Sequence, residues 1–159
     1  MFNKPRLKKE LSELIVDPPI GIKVNIKENS LNILEAEING PKDSPYEDGV
    51  FKLIIEVLKD YPFEAPRINF ITPIYHPNIN RIGRICLHML NKSTEFSWKP
   101  MYTIKHALVA IRNLMDCPNP DDPMLSAVAK EYTTNKDVFE YKAKKFTKMY
   151  ATMRRTNTQ

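Results

Sequence analysis

Apolar residues near the start of the chain recur at helical spacing, at Leu7, Leu11, Leu14 and Ile15. With Asn3 available as a cap and Pro5 suited to a first turn, the pattern predicts a helix from about residue 4 to Val16. Asp17-Pro18-Pro19 stops it, because proline lacks the N–H a helix interior needs. The period then changes from helical to two. Ile22, Val24 and Ile26 alternate with Lys23, Asn25 and Lys27, and Leu34, Ala36 and Ile38 repeat the alternation. After the turn Gly40-Pro41-Lys42-Asp43-Ser44-Pro45, a third strand places Phe51, Leu53, Ile55 and Val57 on one face; beyond Pro62 and Pro66, Ile68 and Phe70 make a shorter fourth. The short connections imply an antiparallel meander.

From Thr72 to Pro100 no period holds, and this stretch contains two of the three histidines and the only tryptophan, Trp98. Long loops of this kind usually carry function. Helical spacing returns at Ile104, Leu108, Ile111 and Met115, on a segment apolar enough to be a core helix. After Asn119-Pro120-Asp121-Asp122-Pro123, a third helix is expected from Pro123 to Tyr132, and a last one with Phe139, Ala143, Phe146 and Tyr150 as its inner stripe. Strands first and helices after predict an α+β fold: a four-stranded antiparallel sheet with helices on one side.

Composition narrows the class without naming it. The 159 residues fit one domain, expected over 1–159 with no tail domain, and about two thirds of the unfolded surface of such a chain can be buried. No apolar run reaches the roughly 18 residues of a membrane helix, and the charged segment Met1 to Glu10 has no signal-peptide core, so the expected compartment is cytoplasm or nucleus and no membrane partner is expected. Two cysteines, Cys86 and Cys117, form no CxxC pair and read as free thiols. The formal charge of +5 gathers at the two ends, where it reads as the solvated faces of helices, and no direct nucleic-acid partner is expected.

The chemistry lies in Tyr75-His76-Pro77-Asn78-Ile79-Asn80, then Gly83-Arg84-Ile85-Cys86-Leu87, then Trp98. In the His-Pro-Asn tripeptide, the Cys-Leu eight residues after the Asn, and the Trp-x-Pro beyond, the chain resembles the ubiquitin-conjugating enzyme family. The resemblance runs through Asp17-Pro18-Pro19, Gly40-Pro41, Ser44-Pro45-Tyr46, Gly49-Val50-Phe51, Tyr61-Pro62-Phe63 and Pro118 to Pro123 in order, so it covers nearly the whole chain. It implies the ubiquitin-conjugating fold, with an N-terminal helix and C-terminal helices around the four-stranded sheet.

The resemblance also implies roles. Cys86 would accept ubiquitin from the activating enzyme as a thioester and pass it, usually with a ubiquitin ligase, to a substrate lysine. A thiol suits this because it both attacks a thioester well and leaves well. Asn78 would donate a hydrogen bond to the oxyanion or brace the loop, Asp122 would guide the lysine or cap a helix, and His76 would be structural. Phe63, Pro100 and Met101 would form a patch for a ligase of the RING type, and Arg6, Lys8 and Lys9 would meet the activating enzyme. No cofactor or metal is expected; ATP is used by the activating enzyme and not bound by this chain.

Two departures stand out. His88 occupies a position where family members commonly carry Asp, so a titratable ring replaces a constant negative charge two residues from the thiol and joins the catalytic candidates. The segment Asn91 to Ser97 is also longer than in the commonest members; together with Thr72-Pro73-Ile74-Tyr75 it matches one subtype of the family. A Cys/His protease lacks any accompanying motif, and Cys86, His76, His88 and Cys117 match no usual zinc spacing. A weakly catalytic ubiquitin-binding scaffold, and a carrier of a ubiquitin-like modifier, remain as alternatives.

Overall fold

The computed structural model describes residues 4–27, 30–91 and 95–152, so the cap assigned to Asn3 and part of the long segment after Asn91 lie outside the described residues. Helix α1 spans Lys4–Val16, followed by strands β1 (Ile22–Ile26), β2 (Ile33–Asn39), β3 (Val50–Glu56) and β4 (Arg67–Phe70). A short 3-10 turn, His88–Leu90, interrupts the long loop before helices α2 (Ile104–Asp116), α3 (Ser126–Thr134) and α4 (Lys136–Tyr150). The four strands pair in sequence order, all antiparallel.

Register follows the two-residue period. Ile22 faces Ile38 and Val24 faces Ala36; Ile38 in turn faces Phe51, Ala36 faces Leu53, and Leu53 faces Phe70. These side chains are all buried, so one sheet face is continuously apolar. On the other face Lys23 lies opposite Glu37, which lies opposite Lys52. The buried face joins Leu7, Leu11 and Leu14 of α1 and Ile104, Ala107, Leu108 and Ile111 of α2 in one core.

Four expectations need correction. Ile26, read with Ile22 and Val24 on the inner face, is 38% exposed at the end of β1. Ile15 is 56% exposed and lies off the stripe of α1, whose inner face instead takes in Glu10. Helix α3 starts at Ser126, not Pro123, because the amides of Met124 and Leu125 both donate to the Pro77 carbonyl, at 2.8 and 3.1 Å, before the helix can begin. The inner stripe of α4 is Phe139, Ala143 and Thr147; Tyr150 is exposed and Phe146 half-buried. Thr147 is buried because its hydroxyl donates to the Ala143 carbonyl one turn back, at 2.8 Å, which leaves its methyl for packing.

Candidate active site

The loop after β4 is a tight hairpin that brings Cys86 beside Asn78. Asn80 Oδ1 accepts from the Ile82 and Arg84 amides at 3.1 and 2.9 Å, and the Asn80 amide donates to the Arg84 carbonyl at 3.0 Å. Gly83 makes the reversal at φ +84, where a Cβ would stand 1.9 Å from the Phe70 carbonyl oxygen, so only glycine fits. The Cys86 amide then donates to the Asn78 carbonyl at 2.8 Å.

One wall of this hairpin is sealed. His76 and Asn78 are wholly buried. The Asn78 amide donates to His76 Nδ1 at 3.0 Å, which makes Nδ1 the acceptor and assigns the ring hydrogen to Nε2, 2.8 Å from the Leu114 carbonyl. Burial holds the ring at about 4, below the ordinary histidine value, with the Leu114 carbonyl acting in the opposite direction. The side chain of Asn78 clamps a distant segment: Nδ2 donates to the carbonyls of Asn119 and Asp122 at 2.7 and 2.9 Å, and Oδ1 accepts from the Asn119 amide at 2.9 Å. Both amide hydrogens are thus in use.

The other wall is open. Cys86 is half-buried, and its thiol donates to Asp122 Oδ2 at 3.2 Å. Burial, and then the Asp122 carboxylate, push the thiol up to about 11; Asn91 and Arg84 act more weakly in the opposite sense. The same Oδ2 lies 3.2 Å from His88 Nε2. The structure therefore brings Cys86, Asn78, Asp122 and His88 together. Asp122 does not cap α3, whose N-cap is Leu125 with no side-chain cap bond.

The remaining candidates sit elsewhere. Phe63 and Met101 are 78% and 75% exposed, and Pro100 is exposed. Their loops are tied by Trp98, whose Nε1 donates to the Pro62 carbonyl at 2.7 Å while its ring packs on Tyr61 and Tyr102. Lys8 and Lys9 are exposed on α1. Arg6 turns inward, with Nε on Glu10 Oε1 at 2.8 Å and Nη2 on the Tyr102 carbonyl at 2.7 Å. Buried Glu10 also accepts from the Tyr61 hydroxyl at 2.6 Å and the Ile104 amide at 3.1 Å. Sequence reasoning missed this network, although a carboxylate on the apolar stripe of α1 was a visible signal. It also missed Asn119, which works through backbone atoms that no sequence pattern marks.

A half-exposed thiol beside a carboxylate, on a loop made rigid from one side, suits acyl carriage and transfer to an amine. The sequence model of the family described as ubiquitin-conjugating enzyme matches residues 6–147. The chain is 44% identical over 151 residues to ubiquitin-conjugating enzyme E2 T of Bos taurus, covering 95% of this chain and 77% of the relative. It is 45% identical over 146 residues to the E2 T of Xenopus laevis, covering 92% and 76%. It is 42% identical over 146 residues to ubiquitin-conjugating enzyme E2 13 of Saccharomyces cerevisiae, covering 92% and 93%.

Proposed function

The chain belongs to the ubiquitin-conjugating enzyme family, and from that premise we propose that Cys86 is the residue that carries the modifier. At the level of the family, the chain is a transferase that acts through a cysteine thioester and works with ubiquitin, a ubiquitin-activating enzyme and ubiquitin ligases. The observation that carries the assignment is the Cys86 thiol itself, accessible on the open wall and donating to a carboxylate 3.2 Å away.

In charging, the Cys86 sulfur attacks the modifier's carboxyl carbon in its thioester with the activating enzyme. A new S–C bond forms, the old one breaks, and the departing thiolate gains a proton. Because the raised thiol is neutral near pH 7, its proton must leave as the sulfur attacks, and Asp122 Oδ2 is the base already bonded to it. In transfer, a lysine nitrogen attacks the same carbon; the N–C bond forms as C–Sγ breaks, and Cys86 leaves as a thiolate that is then reprotonated. An unperturbed lysine is only about 0.1% deprotonated at pH 7.4. Asp122 Oδ2, freed of the thiol proton, receives the amine's proton. Asn78 Nδ2 serves the oxyanion once it releases the carbonyl of Asn119 or Asp122.

Phe63, Pro100 and Met101 form the ligase patch, supported by their exposure and by the Trp98 bond joining their loops. Lys8 and Lys9 offer the activating enzyme exposed charge, and Arg6 holds the helix that displays them. Free thiols at Cys86 and Cys117 support a cytoplasmic or nuclear setting.

The test is incubation with activating enzyme, ATP and ubiquitin, read on a nonreducing gel. Cys86→Ala is expected to lose the reductant-sensitive adduct completely and Cys117→Ala to keep it. An adduct that survives in Cys86→Ala overturns the assignment.

A further inference from the structure

We propose that His88 is a positioning residue for amine transfer, holding the Asp122 carboxylate over the Cys86 sulfur through its Nε2–H. The inference rests on Cys86 being the carrier.

In the uncharged protein two groups able to donate stand around Oδ2 of Asp122: the Cys86 thiol, hydrogen-bonded to it at 3.2 Å, and His88 Nε2, which lies 3.2 Å away. Charging removes the first, because a thioester sulfur bears no hydrogen. Of these two donors, His88 is then the one left to aim the oxygen. The Asp122 side chain is 48% exposed and caps no helix, and no other hydrogen bond to its carboxylate holds it from water among the described residues. Its main chain is fixed differently, through the carbonyl that Asn78 Nδ2 holds at 2.9 Å. The backbone is therefore pinned from the closed wall and the carboxylate from the open one.

The ring is placed to do this. His88 opens the 3-10 turn, whose end is closed by the Asn91 amide donating to the His88 carbonyl at 3.0 Å. Its Nδ1 is enclosed and has no partner among the described residues. With a carboxylate facing Nε2, the hydrogen belongs on Nε2 and Nδ1 keeps a lone pair. This is the tautomer with the lower cost, since a buried N–H without an acceptor is rarer in folded proteins than an under-used acceptor. The tautomer leaves Oδ2 a neighbouring N–H once the thiol proton is gone, and frees the lone pair that the thiol proton had occupied for an incoming amine. His88 thus supplies direction, and Asp122 the negative charge.

The experiment uses equal amounts of preformed ubiquitin thioester and measures single-turnover discharge to free lysine and to free cysteine. The readout is the ratio of the lysine rate to the cysteine rate. His88→Ala is expected to lower that ratio about tenfold, the effect of one hydrogen bond to a charged group. His88→Gln, whose side-chain N–H can replace Nε2–H, is expected to restore most of it. His88→Ala combined with Asp122→Asn is expected to lose no more than Asp122→Asn alone, because both remove the same aimed carboxylate. Equal ratios in parent, His88→Ala and His88→Gln overturn the inference, as do losses that multiply in the double variant. Failure of the carrier reading appears separately, as a thioester that still forms on Cys86→Ala.

Discussion

The two walls of the Cys86 loop are held in opposite ways. On the closed wall His76 and Asn78 are fully buried, and both ring nitrogens and both amide hydrogens have partners within 3.0 Å. On the open wall Cys86, His88 and Asp122 are partly exposed, and one carboxylate oxygen accepts the thiol proton with His88 Nε2 3.2 Å away. Rigidity is placed where no covalent bond is made or broken, and the one hydrogen bond that must give way there is the one Asn78 Nδ2 releases to serve the oxyanion. Exchangeable hydrogen bonds are placed where protons must move.

The contrast breaks first at His76. Its ring stays neutral in the folded protein down to about pH 4, whereas an unfolded histidine takes up a proton near 6.5, so the unfolded state binds more protons between those values. Stability is therefore complete above about pH 6.5 and falls as pH drops toward 4, by about 3 kcal/mol if the ring is the only group involved. Denaturant unfolding of parent and His76→Gln at pH 7 and pH 4.5 measures this. An equal loss in both chains shows that the buried ring is not the source.

Asn78→Ala sharpens the comparison, because the clamp and the oxyanion role make different demands on it. Discharge to lysine is expected to fall about a hundredfold, with charging by the activating enzyme reduced far less. A proportionate fall in both steps leaves the clamp as its whole contribution. On the open wall, Asp122→Asn removes the second cause that raises the Cys86 thiol while leaving burial in place. More thiolate is then present at pH 8, and alkylation by iodoacetamide is expected to quicken about tenfold. A slower or unchanged rate shows that the carboxylate does not hold the thiol proton.

The fold was largely legible because its period is clean: every inward residue read from the strands is buried except Ile26, at the end of β1. What failed at α3 and α4 shares one cause, since hydrogen bonds invisible in the sequence decided the outcome. Pro77 delays α3 by taking two of its leading amides, and the back-bond of Thr147 lets a nominally polar residue displace Phe146 from the stripe. At the site, Cys86 and Asn78 were marked by the His-Pro-Asn and Cys-Leu spacing. The approach of Asp122 to both Cys86 and His88 crosses more than thirty positions of chain, and no local pattern encodes it.

Arg6 and Glu10 carry a consequence for protein engineers. On the docking face proposed above for the activating enzyme, recoding α1 for an altered partner would tempt a designer to reverse every basic residue on it. Lys8 and Lys9 tolerate that treatment because their side chains are exposed. Arg6 does not: its guanidinium joins Glu10 to the Tyr102 carbonyl, and Glu10 anchors Tyr61 and the first amide of α2. Reversing it would set two carboxylates against each other under the loops that display Phe63 and Met101. An orthogonal enzyme pair should therefore be built on positions 8 and 9 and leave position 6 untouched.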